Sequence, residues 1–373
     1  MRRLGISEDE PNPEGGTYVR SSKDGKLTGM AFEYAQLRVS RRYLGLVSED
    51  EAESQLRNFF DGAARLGITT LQDMASDIPA DRCTALFERT PPLIRVRVMW
   101  FGLTDEHGRL TREGRAVNLH PSPLVTVSGT KWVLDGTPIE HSAAMRQPYA
   151  DHPSTSGELD FSEKEMENML RESLESNDQL MVHVVGDRTI ETFLNAMEAT
   201  GGHRVWAERR VRLEHGDGLM PDLIPRAKRL GVIVVQNPTH FTLGELFVER
   251  FGEKRAQMLL PVRSLLEAGI PVALGSDGPL NPFLNIMLAA SHPGNPKEAI
   301  TREQAVVAYT LTSAYAEFAE KDKGSLEPGK LADLAVLSQD IFKVPADDLP
   351  KTESVMTVVG GKIVYNAKVI GAP

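Results

Sequence analysis

The chain has 373 residues, 41% hydrophobic and 25% charged, which is the balance of a folded globular protein and excludes a disordered chain. Its net charge of −10 argues against nucleic acid and anionic membrane as partners, and no apolar run is long enough to cross a bilayer, so a small-molecule substrate is expected. The single cysteine, Cys83, excludes an intrachain disulfide and reads as a lone thiol on a helix; "MRRLGISEDEPNPEGG" at the start lacks the apolar segment of a secretory signal, so a cytoplasmic address is expected.

Residues 11–35 read as a loop and a hairpin turning at Asp24-Gly25, polar decoration rather than a buried strand. From residue 48 onward, helical periodicity alternates with short β-branched runs, the pattern of repeated βα units on a parallel sheet. Ser48 and Glu51 form a capping-box signature, and Leu56, Phe59, Phe60 and Ala63 share one face of the helix that follows. Strands are predicted to begin near residues 68, 94, 124, 179, 209, 231 and 271, seven in all. Between them, Ser162 and Glu165 open a helix, and Ile190, Phe193, Leu194 and Met197 mark another by their spacing.

A closed (β/α) barrel needs eight strands. This chain is one short, and the shortage lies at the front. After the barrel, Thr301 and Gln304 cap a helix running through "AVVAYTLTSAYAEF". "GSLEPGKLADLAVLSQD" then brings a turn and a strand, and "VMTVVGGKIVY" reads as two strands meeting at Gly360-Gly361. The expected organisation is an α/β TIM-like barrel over 1–323, missing its first strand, and a small C-terminal β-sandwich module over 324–373.

In a parallel barrel, chemistry gathers where the strands end at the C-terminal mouth. Four such ends stand out: Lys131, His183, His215 and Asp277. A lone histidine on an apolar strand is ordinarily a core residue. Two of them ending consecutive strands can share an ion, because neutral imidazole is a common metal ligand. Asp277, before Gly278-Pro279, reads either as a turn residue or as a ligand and general base. Lys131 has no lone pair while charged. It either reacts with carbon dioxide to give a metal-bridging carbamate or stays cationic, and the bland alternative is an ion pair with Asp135 or Asp277.

Secondary candidates for holding substrate are Arg188 beside Asp187 at the start of a helix, His141 on the loop after Lys131, and His240 after "QNPTH". His107, His120, His152, His203 and His292 fall in polar or Pro/Gly-rich loops and are expected to be solvated.

The series "KWVLDGT", "HVVGDRTIETFLNAME", "RLEHGD", "VVQNPTHF", "ALGSDGP" and "GSLEPGKLADLAVL" resembles the amidohydrolase superfamily, in particular the amidohydrolase family 3 branch of YtcJ-like proteins and N-substituted formamide deformylases. The resemblance runs from "PEGG" near residue 13 to "GGKIVY" near 360 and rests on order and spacing rather than on any single motif. It implies a distorted TIM barrel with a divalent metal, zinc above all, as one ion or two. Lys131 would be the bridging, carboxylated lysine, His183 and His215 ligands, and Asp277 the general base. The family's His-x-His pair on its first strand has no counterpart: no two of the nine histidines are two residues apart. The sequence therefore reads as a chain lacking that N-terminal segment.

The expected activity is hydrolysis of the C–N bond of an amide, formamide or cyclic amide by metal-activated water. The alternatives are an inactive remnant that binds without turnover and a zinc deaminase of the same superfamily. An open barrel is also expected to cover its edge, with a second copy of the chain among the candidates.

Overall fold

The computed structural model describes residues 1–110 and 118–368; the last five residues of the tail module, 369–373, lie outside them. Seven parallel strands carry the molecule: β1 Thr70–Met74, β2 Arg95–Phe101, β3 Val125–Val133, β4 Leu180–Val184, β5 Arg212–His215, β6 Ile233–Gln236 and β7 Val272–Leu274. They lie side by side in chain order. All seven match the strands expected from the sequence, and among the described residues β1 and β7 each pair on one side only.

The sheet is curled, as one long-range contact requires. Gln72 on β1 accepts a hydrogen bond from Arg212 on β5, four strands away. In a flat sheet those strands would be about 19 Å apart, at roughly 4.8 Å per neighbour. The amide of Gln72 also donates to the Ser313 carbonyl at 3.1 Å, tying the first strand to the helical segment beyond the last. The result is an unclosed TIM-like barrel.

Pairing register sorts the side chains. Lys131, Met181 and Arg212 are aligned, as are His183 and Glu214, and this row faces the interior. Leu180, Val182, Val184 and Leu213 point the other way and are buried against the helices. Helix Asp187–Ala199 presents Ile190, Phe193, Leu194 and Met197 to that layer, all at 0% exposure, as their spacing predicts. Thr301 and Gln304 form the reciprocal capping box expected of them, and Cys83 is buried on helix Ala80–Arg89.

Three expectations fail. Residues 11–35 do form an antiparallel hairpin, Gly16–Arg20 with Leu27–Glu33, but it is not surface decoration. Tyr18 is 1% exposed, and the adjoining Tyr34 is fully buried against Trp132 and Phe161, its hydroxyl bonded to the Val133 backbone. Phe59 is 40% exposed, because the helix Glu49–Arg65 turns Phe60, Ala63 and Ala64 inward instead. His292 is fully buried, stacked on Phe241 with ring centroids 4.1 Å apart and bonded to the Leu260 carbonyl.

The tail forms an antiparallel sheet of β8 Leu334–Leu337, β9 Ser354–Val359 and β10 Lys362–Asn366, with Gly360 and Gly361 both at positive φ in the turn. Thr357 donates to the Ala64 carbonyl, and Arg95 grips Asp333 with two hydrogen bonds, so this sheet is fastened to the front of the barrel.

Asp135, just past β3, is fully buried and accepts from Val185 N, Gly186 N, Ala144 N and Thr189 Oγ1. Its oxygens are thus committed to the neighbouring loops, which rules out the ion pair with Lys131 considered from sequence. Removing it strands four donors at once. Asp135→Ala should lower the unfolding free energy by about 3 kcal/mol or more in urea denaturation; a loss under about 1 kcal/mol would contradict this account.

Candidate metal and active site

His183 occupies β4 and His215 ends β5, with ring centroids 4.4 Å apart. Each ring is tethered through one nitrogen. His183 donates to the Gly136 carbonyl, leaving Nε2 without a partner, and His215 bonds the Asn237 side chain, leaving Nδ1 without one. A buried polar atom with no partner costs about 1–3 kcal/mol. Two such lone pairs on adjacent strand ends fit a cation, and the tethers on the opposite nitrogens are what fix a ligating tautomer.

Both rings are held neutral. Burial pushes the His183 and His215 imidazoles well below their ordinary range, and for His215 the nearby Lys131 adds to the effect. A neutral ring is the form that ligates a metal.

Asp277 lies beyond β7 with its side chain 57% exposed, and its Oδ2 is 3.9 Å from His215 Nδ1 and 3.6 Å from His240 Nε2. The facing His240 imidazole lowers its carboxyl below the usual range, so it is anionic near neutrality. His215 and Asp277 both carry positive φ, 69° and 42°, conformations that cost a non-glycine residue energy and that cluster at functional sites.

His240 sits in the 3-10 turn Pro238–Leu243 after β6, stacked on His215 at 5.4 Å. Its ring lies between two carboxylates, with Asp217 Oδ2 3.9 Å from Nδ1. Burial pulls its pKa down, but the two facing carboxylates outweigh that and lift it to about 10. Thr239 donates to the Ser276 carbonyl, which pins this turn to the loop of Asp277.

Lys131 on β3 is 3% exposed and lies deeper, beside Glu214, Arg212 and Asp277. Burial pushes its ammonium down to about 8. Glu214 is itself paired with Arg212 at 2.7 Å.

The other two substrate candidates are engaged elsewhere. Arg188 donates to the Gly157 carbonyl at 2.6 Å, and His141 pairs with Asp151 at 2.9 Å and packs on Tyr149 and His152. Among the described residues, neither is hydrogen-bonded or ion-paired with His183, His215, His240 or Asp277. The sequence gives Asp217 and Asn237 no role of their own, although each is the last residue of a strand-end motif, "RLEHGD" and "VVQN". That position is the one signal that marked them.

Comparison with known proteins gives the family. Residues 1–365 match the profile of the Amidohydrolase family. The chain is 28% identical to YtcJ of Bacillus subtilis (strain 168), named an amidohydrolase, over 98% of this chain and 70% of that protein. It is 32% identical to the N-substituted formamide deformylase of Arthrobacter pascens over 55% of this chain and 40% of that enzyme. A metal-dependent hydrolase from Pyrococcus horikoshii OT3 superposes with a TM-score of 0.71 at 20% identity, covering 92% of this chain and 69% of that one. The chain belongs to the amidohydrolase family, hydrolases acting on carbon–nitrogen bonds.

Proposed function

We propose that this chain hydrolyses the C–N bond of a small amide, formamide or cyclic amide, with a divalent ion held at the barrel mouth. The observation that carries the reading is the pair of unpartnered lone pairs, His183 Nε2 and His215 Nδ1, facing the Asp277 carboxylate. Imidazole and carboxylate donors together suit zinc. When bound, the ion supplies Lewis acidity that makes water a nucleophile near neutral pH and polarises a carbonyl.

The chain's own residues do the rest. Asp277, anionic and partly open to solvent, accepts the proton of the attacking water at a carboxylate oxygen and can return it to the departing nitrogen. Lys131, buried beside it, contributes positive charge behind the carboxylate, or a carbamate once carbon dioxide has added to its neutral form. The β-strand backbone on which His183 and Lys131 stand keeps both within a fixed frame. Arg188 and His141 would act on substrate only by exchanging their present partners, so they are assigned supporting roles in shaping the loop that follows β3.

Binding without turnover is the rival reading, favoured by the two unpaired sheet edges, which leave the site less constrained than in a closed barrel. Deamination uses the same donors and is told apart by its product.

Asp277→Asn should lower kcat on an N-formyl amine or simple amide about 10²- to 10⁴-fold, the usual worth of a positioned base, in a formate- or amine-release assay. Wild-type turnover by that variant would remove Asp277 from the mechanism. Chelation should abolish activity and zinc should restore it; activity indifferent to both would rule out the metal. Ammonia should not accumulate with N-substituted substrates, and ammonia release from amino-substituted heterocycles in their place would favour the deaminase.

A further inference from the structure

The ligand set read from the sequence, His183, His215, Lys131 and Asp277, omits the residue that the geometry places closest to a complete site. His215, His240 and Asp277 each offer one donor atom, and these three atoms lie within 4.8 Å of one another, a grouping that does not include His183. Three protein donors are what a catalytic zinc site requires, the fourth position being left for water. We propose that His240, on the turn after β6, is a metal ligand through Nε2, forming with His215 Nδ1 and Asp277 Oδ2 a His–His–Asp site, with Asp217 as the carboxylate behind it. This rests on the metal-dependent reading above and extends it to a residue that reading placed with substrate.

Four observations converge on it. His240 Nε2 faces Asp277 at 3.6 Å, and the opposite nitrogen, Nδ1, faces Asp217 at 3.9 Å. With an ion in place of the proton that the two carboxylates hold on this ring, Asp217 would be the outer carboxylate that orients it. Asp217 is 3% exposed and its Oδ1 has no partner, so its charge is directed into this cluster rather than spent elsewhere. The His240 ring is nearly parallel to His215, at 13°, which sets the two rings side by side along one wall of the mouth. The bond from Thr239 to Ser276 holds the backbone of this turn against the loop that presents Asp277, so the donors are drawn from two loops already fastened together.

His215 joins the two halves of the mouth. Its Nδ1 serves this triangle and its ring also contacts His183, whose unpartnered Nε2 remains a donor to the same site, so His240 adds to that pair rather than replacing His183.

The test is cobalt(II) uptake by the full-length, metal-stripped protein, followed by calorimetry and visible absorption. His240→Gln is expected to weaken Co²⁺ binding at least tenfold, and Asp217→Asn to weaken it by about 10- to 100-fold, the range for losing an outer carboxylate. Because a loss alone can reflect disturbed packing, His240→Cys supplies a positive signature: a thiolate-to-cobalt charge-transfer band in the near ultraviolet, which buried Cys83 does not give in the wild type. Weakened binding in His240→Gln together with that band supports the assignment. Wild-type affinity in His240→Gln and no band in His240→Cys overturns it while leaving a metal site on the remaining donors. If the wild-type protein takes up no Co²⁺, both this assignment and the metal-dependent reading fall.

Discussion

The mouth of this barrel is organised around one buried carboxylate that touches no substrate and no metal. Asp135 draws the backbone of Val185 and Gly186, the hydroxyl of Thr189 and the amide of Ala144 onto two oxygens. Those groups belong to the loop and helix after β4 and to the long loop after β3. Because Gly136 follows Asp135 directly, fixing the carboxylate also fixes the carbonyl to which His183 is tethered. Gly186 shows how closely the parts fit: a Cβ there would stand 1.9 Å from the Ala144 carbonyl oxygen, so only glycine lets the two loops meet. The orientation of the first candidate ligand therefore depends on a knot of neutral donors around a single acid, one residue outside the site.

A second constraint comes from the interior. Lys131 on β3, Arg212 on β5 and Arg97 on β2 are cations of the interior, each at most 7% exposed, and Glu214 is the acid set among them. Such an interior is stable only if its polar atoms are shared, and the Gln72–Arg212–Glu214 chain does that sharing across the width of the barrel. The polar lining continues up to the mouth, so His183 and His215 stand at the upper end of a charged column rather than in an apolar pocket. This explains why burial holds both imidazoles neutral while Asp277, at the open rim, remains charged.

Much of this was legible in the sequence, for a reason particular to parallel barrels. Strands buried on both faces write continuous apolar runs, and the residue at which each run stops is the residue at the mouth; His183, His215 and Asp277 could be read that way. The count of seven was legible too, since the sequence holds seven such runs and the described residues seven parallel strands. His240 was harder, because it stands in a 3-10 turn with no periodicity to say which way it faces. Asp135 and Asp217 look like ordinary turn aspartates until the loops they bind are known. His292 and Tyr18 were misread for the same reason: in loops and hairpins, burial is decided by what packs above them, and local pattern carries no record of that. Among the described residues, no helix is long and apolar enough to cross a membrane.

The two unpaired sheet edges differ in a way that bears on how the molecule meets its own copies. β7 is three residues long, Val272–Leu274, too short to template an added strand with more than a few backbone bonds. β1 is longer but carries Asp73 within it, a carboxyl that burial already pushes up to about 6 and that any further covering would have to desolvate more completely. Brevity on one side and a misplaced acid on the other are the devices by which open sheets avoid growing end to end. β7 is moreover buried along its whole length, at most 4% exposed, so an interrupted barrel of this kind is a poor seed for fibres.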